Sequence, residues 1–173
     1  MMILVTGGSK SGKSSLAESF FDNFSEKKYY IATMQPFGAD AQTAIARHQK
    51  MREGKGFSTI ERCTDLSGIK LSPRCGVLLE CMGNLCANEM FRDNAVCDPR
   101  DAILAGIAHI RSNSELFVIV TNEVCADGIA YTPETMQYMR YLAKINREIA
   151  ALADTVIECT AGFPNILKGV IPC

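Results

Sequence analysis

Residues 7–14, Gly7-Gly8-Ser9-Lys10-Ser11-Gly12-Lys13-Ser14, fit the pattern G-x-x-x-x-G-K-[ST] at every position. The apolar run Met2-Ile3-Leu4-Val5 precedes them and Ser15-Leu16-Ala17-Glu18-Ser19-Phe20-Phe21 follows, so strand, loop and helix stand in the order a phosphate-binding loop requires. Small residues let the backbone curl into a nest of N–H groups, and the helix N-terminus adds partial positive charge at the same place. Lys13 would reach the β- and γ-phosphates of a nucleoside triphosphate, and the Ser14 hydroxyl would join a Mg²⁺ ion. The first strand is therefore parallel-sheet in type, and its carboxyl end is where a ligand goes.

The rest of the chain supplies such a sheet. Apolar runs recur at Tyr29-Tyr30-Ile31-Ala32-Thr33, Phe57-Ser58-Thr59-Ile60-Glu61, Val77-Leu78-Leu79-Glu80-Cys81, Leu116-Phe117-Val118-Ile119-Val120-Thr121 and Thr155-Val156-Ile157-Glu158-Cys159. They are short and nearly unbroken, as strands buried on both faces are. Between them lie helical segments over residues 40–51, capped by Asp40, from Asp98-Pro99 to 112, and from Thr132-Pro133 to 153. The last carries Leu142, Ile145, Ile149 and Leu152 at helical spacing, a core-facing stripe. Residues 84–92 form a further helical candidate, while 53–56 and 71–74 are loops. The expectation is an α/β architecture, a mostly parallel sheet flanked by helices, in one nucleotide-binding domain over residues 1–173.

Charge and cysteine content narrow the function classes. A net charge of −1 offers no electrostatic case for nucleic acid or an anionic membrane, so phosphate affinity must be local. No apolar stretch is long enough to span a bilayer, and the N-terminal run is committed to a strand rather than to a leader. The eight cysteines show no C-x-x-C spacing and have only His48 and His109 to supplement them, which argues for reduced thiols in a cytoplasmic protein.

Two acids close apolar strands. Glu80 follows Val77-Leu78-Leu79, and Glu123 follows the 116–121 run; either suits metal-bound water or a base edge. Glu80 lies inside an apolar segment, where an unpaired carboxylate would be costly. His48, taken alone, is a surface histidine of the 40–51 helix. Its neighbours Arg47, Lys50 and Arg52 favour the neutral, nucleophilic imidazole and would attract phosphate, so attack on an α-phosphate is open to it. His109 reads as structural. On these residues alone, a small P-loop kinase with any hydroxyl acceptor and a nucleotide-binding regulatory module both remain open.

The ordered succession of the phosphate loop, Tyr30-Ile31-Ala32-Thr33, Arg47-His48, Thr59-Ile60-Glu61, Leu78-Leu79-Glu80-Cys81, Val120-Thr121-Asn122-Glu123-Val124, Asn146, Ala153-Asp154 and Ala161-Gly162 resembles the CobU family. These are bifunctional adenosylcobinamide kinases/adenosylcobinamide-phosphate guanylyltransferases. The resemblance implies a RecA-like P-loop NTPase fold, commonly trimeric. It implies phosphorylation of the aminopropanol hydroxyl of adenosylcobinamide by GTP or ATP with Mg²⁺, then guanylylation of a histidine by GTP and transfer of GMP to adenosylcobinamide phosphate. His48 falls on the guanylylated histidine, residues 7–14 on the phosphate loop, and Glu61 and Glu80 on acids near the nucleotide; Thr33 and Glu123 join the nucleotide set, with Ser14 and Glu80 at the metal. The chain departs from the family pattern at Ala44, where an Arg is usual, at Phe57, where a Trp is common nearby, and over residues 125–130.

Overall fold

The structure is a computed structural model and describes residues 1–35, 50, 53–92, 96–124 and 128–171. The expected helix over residues 40–51, with Ala44, Arg47 and His48, lies outside the described residues apart from Lys50.

The strands are β1 (Met2–Thr6), β2 (Lys28–Ala32), β3 (Phe57–Glu61), β4 (Cys75–Glu80), β5 (Ser114–Val120), β6 (Thr155–Thr160) and β7 (Phe163–Lys168). Between them lie the helices α1 (Lys13–Ser19), α2 (Met82–Met90), α3 (Arg100–Ser112) and α4 (Pro133–Leu152). Among the described residues the strands form one sheet in the order β3-β2-β4-β5-β1-β6-β7. Every neighbouring pair is parallel except the antiparallel β6–β7. β5 thus inserts between β1, which launches the phosphate loop, and β4, which ends in Glu80.

The near-continuous apolar runs are explained by cover on both faces. Ile3, Val5, Tyr30, Leu78, Val118 and Val120 alternate onto the face packed by Ala17 and Phe21 of the α1 region. Met2, Leu4, Leu79, Phe117 and Ile119 take the opposite face, with α2, α3 and α4. The α4 stripe behaves as its spacing predicts: Leu142, Ile145 and Ile149 are buried, each contributing roughly 1.5–3 kcal/mol, whereas Leu152 is exposed at the helix end. Thr132 caps α4, its hydroxyl accepting from the Thr135 N–H, and Pro133 follows in the first turn. In α3 the proline sits one position earlier than expected: Pro99 occupies the cap and the helix starts at Arg100, with the Asp98 carboxylate accepting the Arg100 N–H.

The expected 84–92 helix begins two residues earlier, at Met82. β7 was not anticipated. All six of its residues are exposed, so it lacks the burial pattern of β1, β2, β4, β5 and β6. β3, expected to be buried on both faces, has no buried residue either, because among the described residues it is the strand at the other end of the sheet. His109 is structural, its Nε2 lying 2.9 Å from the Ile69 carbonyl. Cys63, Cys75, Cys81, Cys86, Cys97 and Cys159 are free thiols, and burial pushes Cys86 up to about 12, into the range of an inert apolar side chain. Cys125 and Cys173 lie outside the described residues. No helix among the described residues is long and apolar enough to cross a membrane.

Candidate nucleotide site

The phosphate loop takes a shape that only its glycines permit. Gly7 has φ 146° and Gly12 φ 98°, and a Cβ on Gly7 would stand 2.4 Å from the Cys159 carbonyl oxygen. Gly12 passes close to the β6–β7 turn, where an added Cβ would meet Gly162 Cα at 3.1 Å. That turn is bonded to the loop: Gly162 N–H donates to the Ser11 carbonyl at 2.8 Å, and the Cys159 thiol reaches the same oxygen. On the other side, the Glu123 N–H donates to the Gly7 carbonyl at 3.0 Å. The ends of β5 and β6 therefore brace the loop from both flanks, leaving Gly8, Ser9 and Lys10 exposed to a ligand.

Lys13 opens α1 and is buried. Its ammonium donates to the Gly8 carbonyl, across the mouth of its own loop. Burial holds its pKa below the ordinary lysine value, opposed by the nearby Glu80 carboxylate. A buried cation hydrogen-bonded to a neutral carbonyl is poised for an anion.

The strand register explains how Glu80 meets the loop. Glu61, Ala32, Glu80, Val120 and Val5 lie in one row across the sheet, so their side chains share the α1 face. Glu80 there accepts the Ser14 hydroxyl on Oε1 and the Tyr30 hydroxyl, at 3.1 Å, on Oε2. The carboxylate is buried but partnered, as its cost demands. Glu61 flanks the same crevice two strands away, roughly 10 Å from Glu80 at two strand spacings, and is exposed.

Thr33 is fully buried and contacts backbone: its hydroxyl accepts from the Cys81 N–H and lies within 3.1 Å of the Glu80 carbonyl. It fixes the junction of β2 with the cis Glu80–Cys81 peptide. Glu123 is exposed and stands beyond β5, its N–H on the Gly7 carbonyl. His48 lies outside the described residues. The sequence reading passed over two residues of this site. Tyr30, the second donor to Glu80, sits two residues before Ala32 on the same strand face, an alternation that could have flagged it. Asn88 of α2 donates to the carbonyls of Thr33 (2.8 Å) and Cys63 (3.0 Å), tying the ends of β2 and β3 together; no local pattern marks it.

The donor set suits magnesium. Ser14 and Glu80 present adjacent hard oxygens, while no group of three or more His, Cys, Asp or Glu among the described residues forms a closed metal cage. Mg²⁺ is held in this way, by one or two protein oxygens with phosphate and water completing its shell.

A phosphate loop entering a buried-lysine helix, with an acid two strands away beyond an inserted strand, defines a RecA-like P-loop nucleotide-binding protein. Solved structures share the fold. A protein of Pyrococcus horikoshii OT3 superimposes with TM-score 0.52 at 9% identity, over 98% of this chain and 87% of its own. A prototypical ATPase from the type III secretion system of pathogenic bacteria does so with TM-score 0.51 at 12% identity, over 91% of this chain and 50% of that one.

Sequence relatives narrow the class. The family model described as "Cobinamide kinase / cobinamide phosphate guanyltransferase" matches residues 3–167. The bifunctional adenosylcobalamin biosynthesis protein CobU of Escherichia coli (strain K12) is 32% identical over 97% of this chain and 100% of its own length. That of Salmonella typhimurium (strain LT2) is 33% identical over the same shares. The bifunctional adenosylcobalamin biosynthesis protein CobP of Pseudomonas aeruginosa is 26% identical over 98% of each chain. The chain belongs to the CobU family of cobinamide kinases/guanylyltransferases, enzymes of transferase type that act in cobalamin biosynthesis.

Proposed function

We propose that this chain phosphorylates adenosylcobinamide and then transfers GMP from GTP to the product, giving adenosylcobinamide-GDP. The supporting observation is the convergence of Lys13, Ser14 and Glu80 at the phosphate loop, in a chain that follows the family from residue 3 to 167. In the first reaction the aminopropanol oxygen bonds to the γ-phosphorus of ATP or GTP, the bond to the β-phosphate oxygen breaks, and the hydroxyl proton is lost. Backbone N–H groups of residues 7–14 cradle the phosphates, and Lys13 exchanges the Gly8 carbonyl for them. Ser14 and Glu80 would hold Mg²⁺, which when bound neutralises charge on the phosphate oxygens.

In the second reaction an imidazole nitrogen of His48 displaces pyrophosphate from the α-phosphorus of GTP. A phosphate oxygen of adenosylcobinamide phosphate then displaces the histidine, so the P–N bond breaks and a P–O–P bond forms. Glu61 and Glu123 complete the nucleotide contacts, and Thr33 supports them through Glu80. The working form is a trimer in the cytoplasm, with each chain a single nucleotide-binding domain. Incubation with adenosylcobinamide and Mg·GTP, followed by mass spectrometry, tests the reading. Sequential appearance of adenosylcobinamide phosphate and adenosylcobinamide-GDP supports it. Phosphorylation alone, or no product despite saturating GTP, refutes the bifunctional assignment.

A further inference from the structure

β5 lies between β1, which runs into the phosphate loop, and β4, which ends in Glu80, so the ends of those two strands stand roughly 10 Å apart across it. Val5, Val120 and Glu80 form one row of the sheet. Two residues beyond that row the chain reaches Gly7 after β1 and Asn122 after β5, and the Glu123 N–H on the Gly7 carbonyl ties the two tips together. Asn122 therefore heads the strand that separates the loop from Glu80. It is half-buried, and among the described residues its side-chain amide makes no hydrogen bond. The other asparagines at this end of the sheet are spent on the frame: Asn88 donates to the Thr33 and Cys63 carbonyls, and Asn146 accepts the Thr121 hydroxyl. A half-buried amide left unpaired beside a phosphate loop calls for a partner. Nor is it covered by its neighbour α2, where Gly83 has no side chain; a Cβ there would stand 3.7 Å from Asn122 Nδ2.

We propose that the Asn122 NH₂ donates to the γ-phosphoryl group while it passes to the acceptor hydroxyl, an assignment that rests on the proposed kinase reaction. Position selects the phosphate. Backbone N–H groups of the loop cradle the α- and β-phosphates, and Lys13 reaches on to the γ-phosphate. Ser14 and Glu80 meet beyond the loop, and β5 runs beneath the gap between the loop strand and the Glu80 strand. The tip of β5 thus faces the far end of the triphosphate rather than its loop-held part. Chemistry agrees with position. The acceptor oxygen bonds to the γ-phosphorus, the bond to the β-phosphate oxygen breaks, and the hydroxyl proton leaves to water. Negative charge stays on the three outer phosphoryl oxygens throughout, and a neutral donor fixed at a strand tip meets one of them without reorganising. An amide does so at any pH, since it does not titrate.

Two variants separate this contact from a role in shaping the fold. Asn122→Ala removes the amide; Asn122→Asp keeps its shape but turns the donor into a charged acceptor. With adenosylcobinamide and either Mg·ATP or Mg·GTP, both should lower kcat by roughly 10²-fold or more, with the cobinamide KM unchanged and Asp at least as damaging as Ala. A role in the fold predicts that the isosteric Asp is the milder change. Equilibrium dialysis with Mg·GDP gives the second readout. GDP alone should bind both variants as it binds the wild type, which also shows that they are folded. Aluminium fluoride, which occupies the γ-phosphoryl position, should tighten GDP binding in the wild type and not in the variants. Near-wild-type turnover of Asn122→Asp, or GDP affinity lost in step with turnover, overturns the assignment. A wild-type protein that phosphorylates no adenosylcobinamide contradicts the proposed function instead. The fluoride comparison then still decides the contact, and equal tightening in wild type and variants overturns it.

Discussion

Tyr30→Phe removes one hydroxyl and leaves the ring. Tyr30 is 4% exposed and Glu80 8%, so the hydrogen bond between them is made out of water. The phenyl ring keeps its edge-on packing against Phe57, at 6.5 Å between centroids, and no cavity of consequence forms. A hydrogen bond to a charged group contributes about 1.5–3 kcal/mol. Because Ser14 still donates to the other carboxylate oxygen, the cost should fall at the low end, near ~1.5 kcal/mol. For a chain of this length that lowers Tm by about 3–6 °C. Urea unfolding of Tyr30→Phe, Glu80→Gln and the double variant gives the pairwise term directly, and a coupling of about 1–2 kcal/mol is expected. The same change frees the carboxylate that Ser14 meets, so Mg·GTP should bind several-fold more weakly while metal-free GTP is unaffected. A coupling below about 0.5 kcal/mol with unchanged Mg·GTP affinity would refute the view that Tyr30 holds Glu80 for the metal.

Other substitutions probe the loop and its braces. Lys13→Met should cut phosphoryl transfer by roughly 10²–10³-fold, measured by product formation. In the wild type, burial lowers the Lys13 pKa, and phosphates favour the charged ammonium. GTP affinity should therefore fall with rising pH before the ordinary lysine value of 10.5 is reached, a slope absent from Lys13→Met. Gly7→Ala drives a Cβ against the Cys159 carbonyl at positive φ and should cost about 1–3 kcal/mol in unfolding experiments. Gly8→Ala, with nothing within 4 Å of the new methyl, should leave stability unchanged. Lys168 donates to the carbonyls of Ala150, Ala151 and Ala153 at the end of α4, so Lys168→Met should lose about 1 kcal/mol of stability with catalysis intact.

The legible parts of this chain are those where a local pattern has one physical cause. Unbroken apolar runs such as Val77-Leu78-Leu79 mean burial on both faces, and β4 has it at every residue, whereas the more polar run Phe57-Ser58-Thr59-Ile60-Glu61 forms the end strand β3 with none buried. Small residues let the loop at 7–14 curl, and Gly7 and Gly12 take the positive φ that the curl uses. Glu80 inside an apolar strand had to be partnered, and Ser14 and Tyr30 partner it. What escaped depends on distant segments meeting. The order β4-β5-β1 comes from crossovers, and no local spacing shows that β5 separates the loop from Glu80. β7 joins the sheet through β6 alone, with Pro164 on an edge and no buried residue, so neither hydropathy nor alternation betrays it. A cleft lined by Ala143 and Ala150 of α4, Leu4 of β1 and Val156 of β6 is likewise invisible in sequence, because it exists only once the helix is laid over the strands.

The proposal that this protein takes GMP onto His48 is tested most directly by incubation with GTP labelled at the α-phosphate, with no corrinoid present. A phosphoramidate predicts protein-bound label that is acid-labile and alkali-stable, chased off by adenosylcobinamide phosphate and absent from His48→Ala. No covalent label in a wild-type protein saturated with Mg·GTP, or full labelling of His48→Ala, would contradict it.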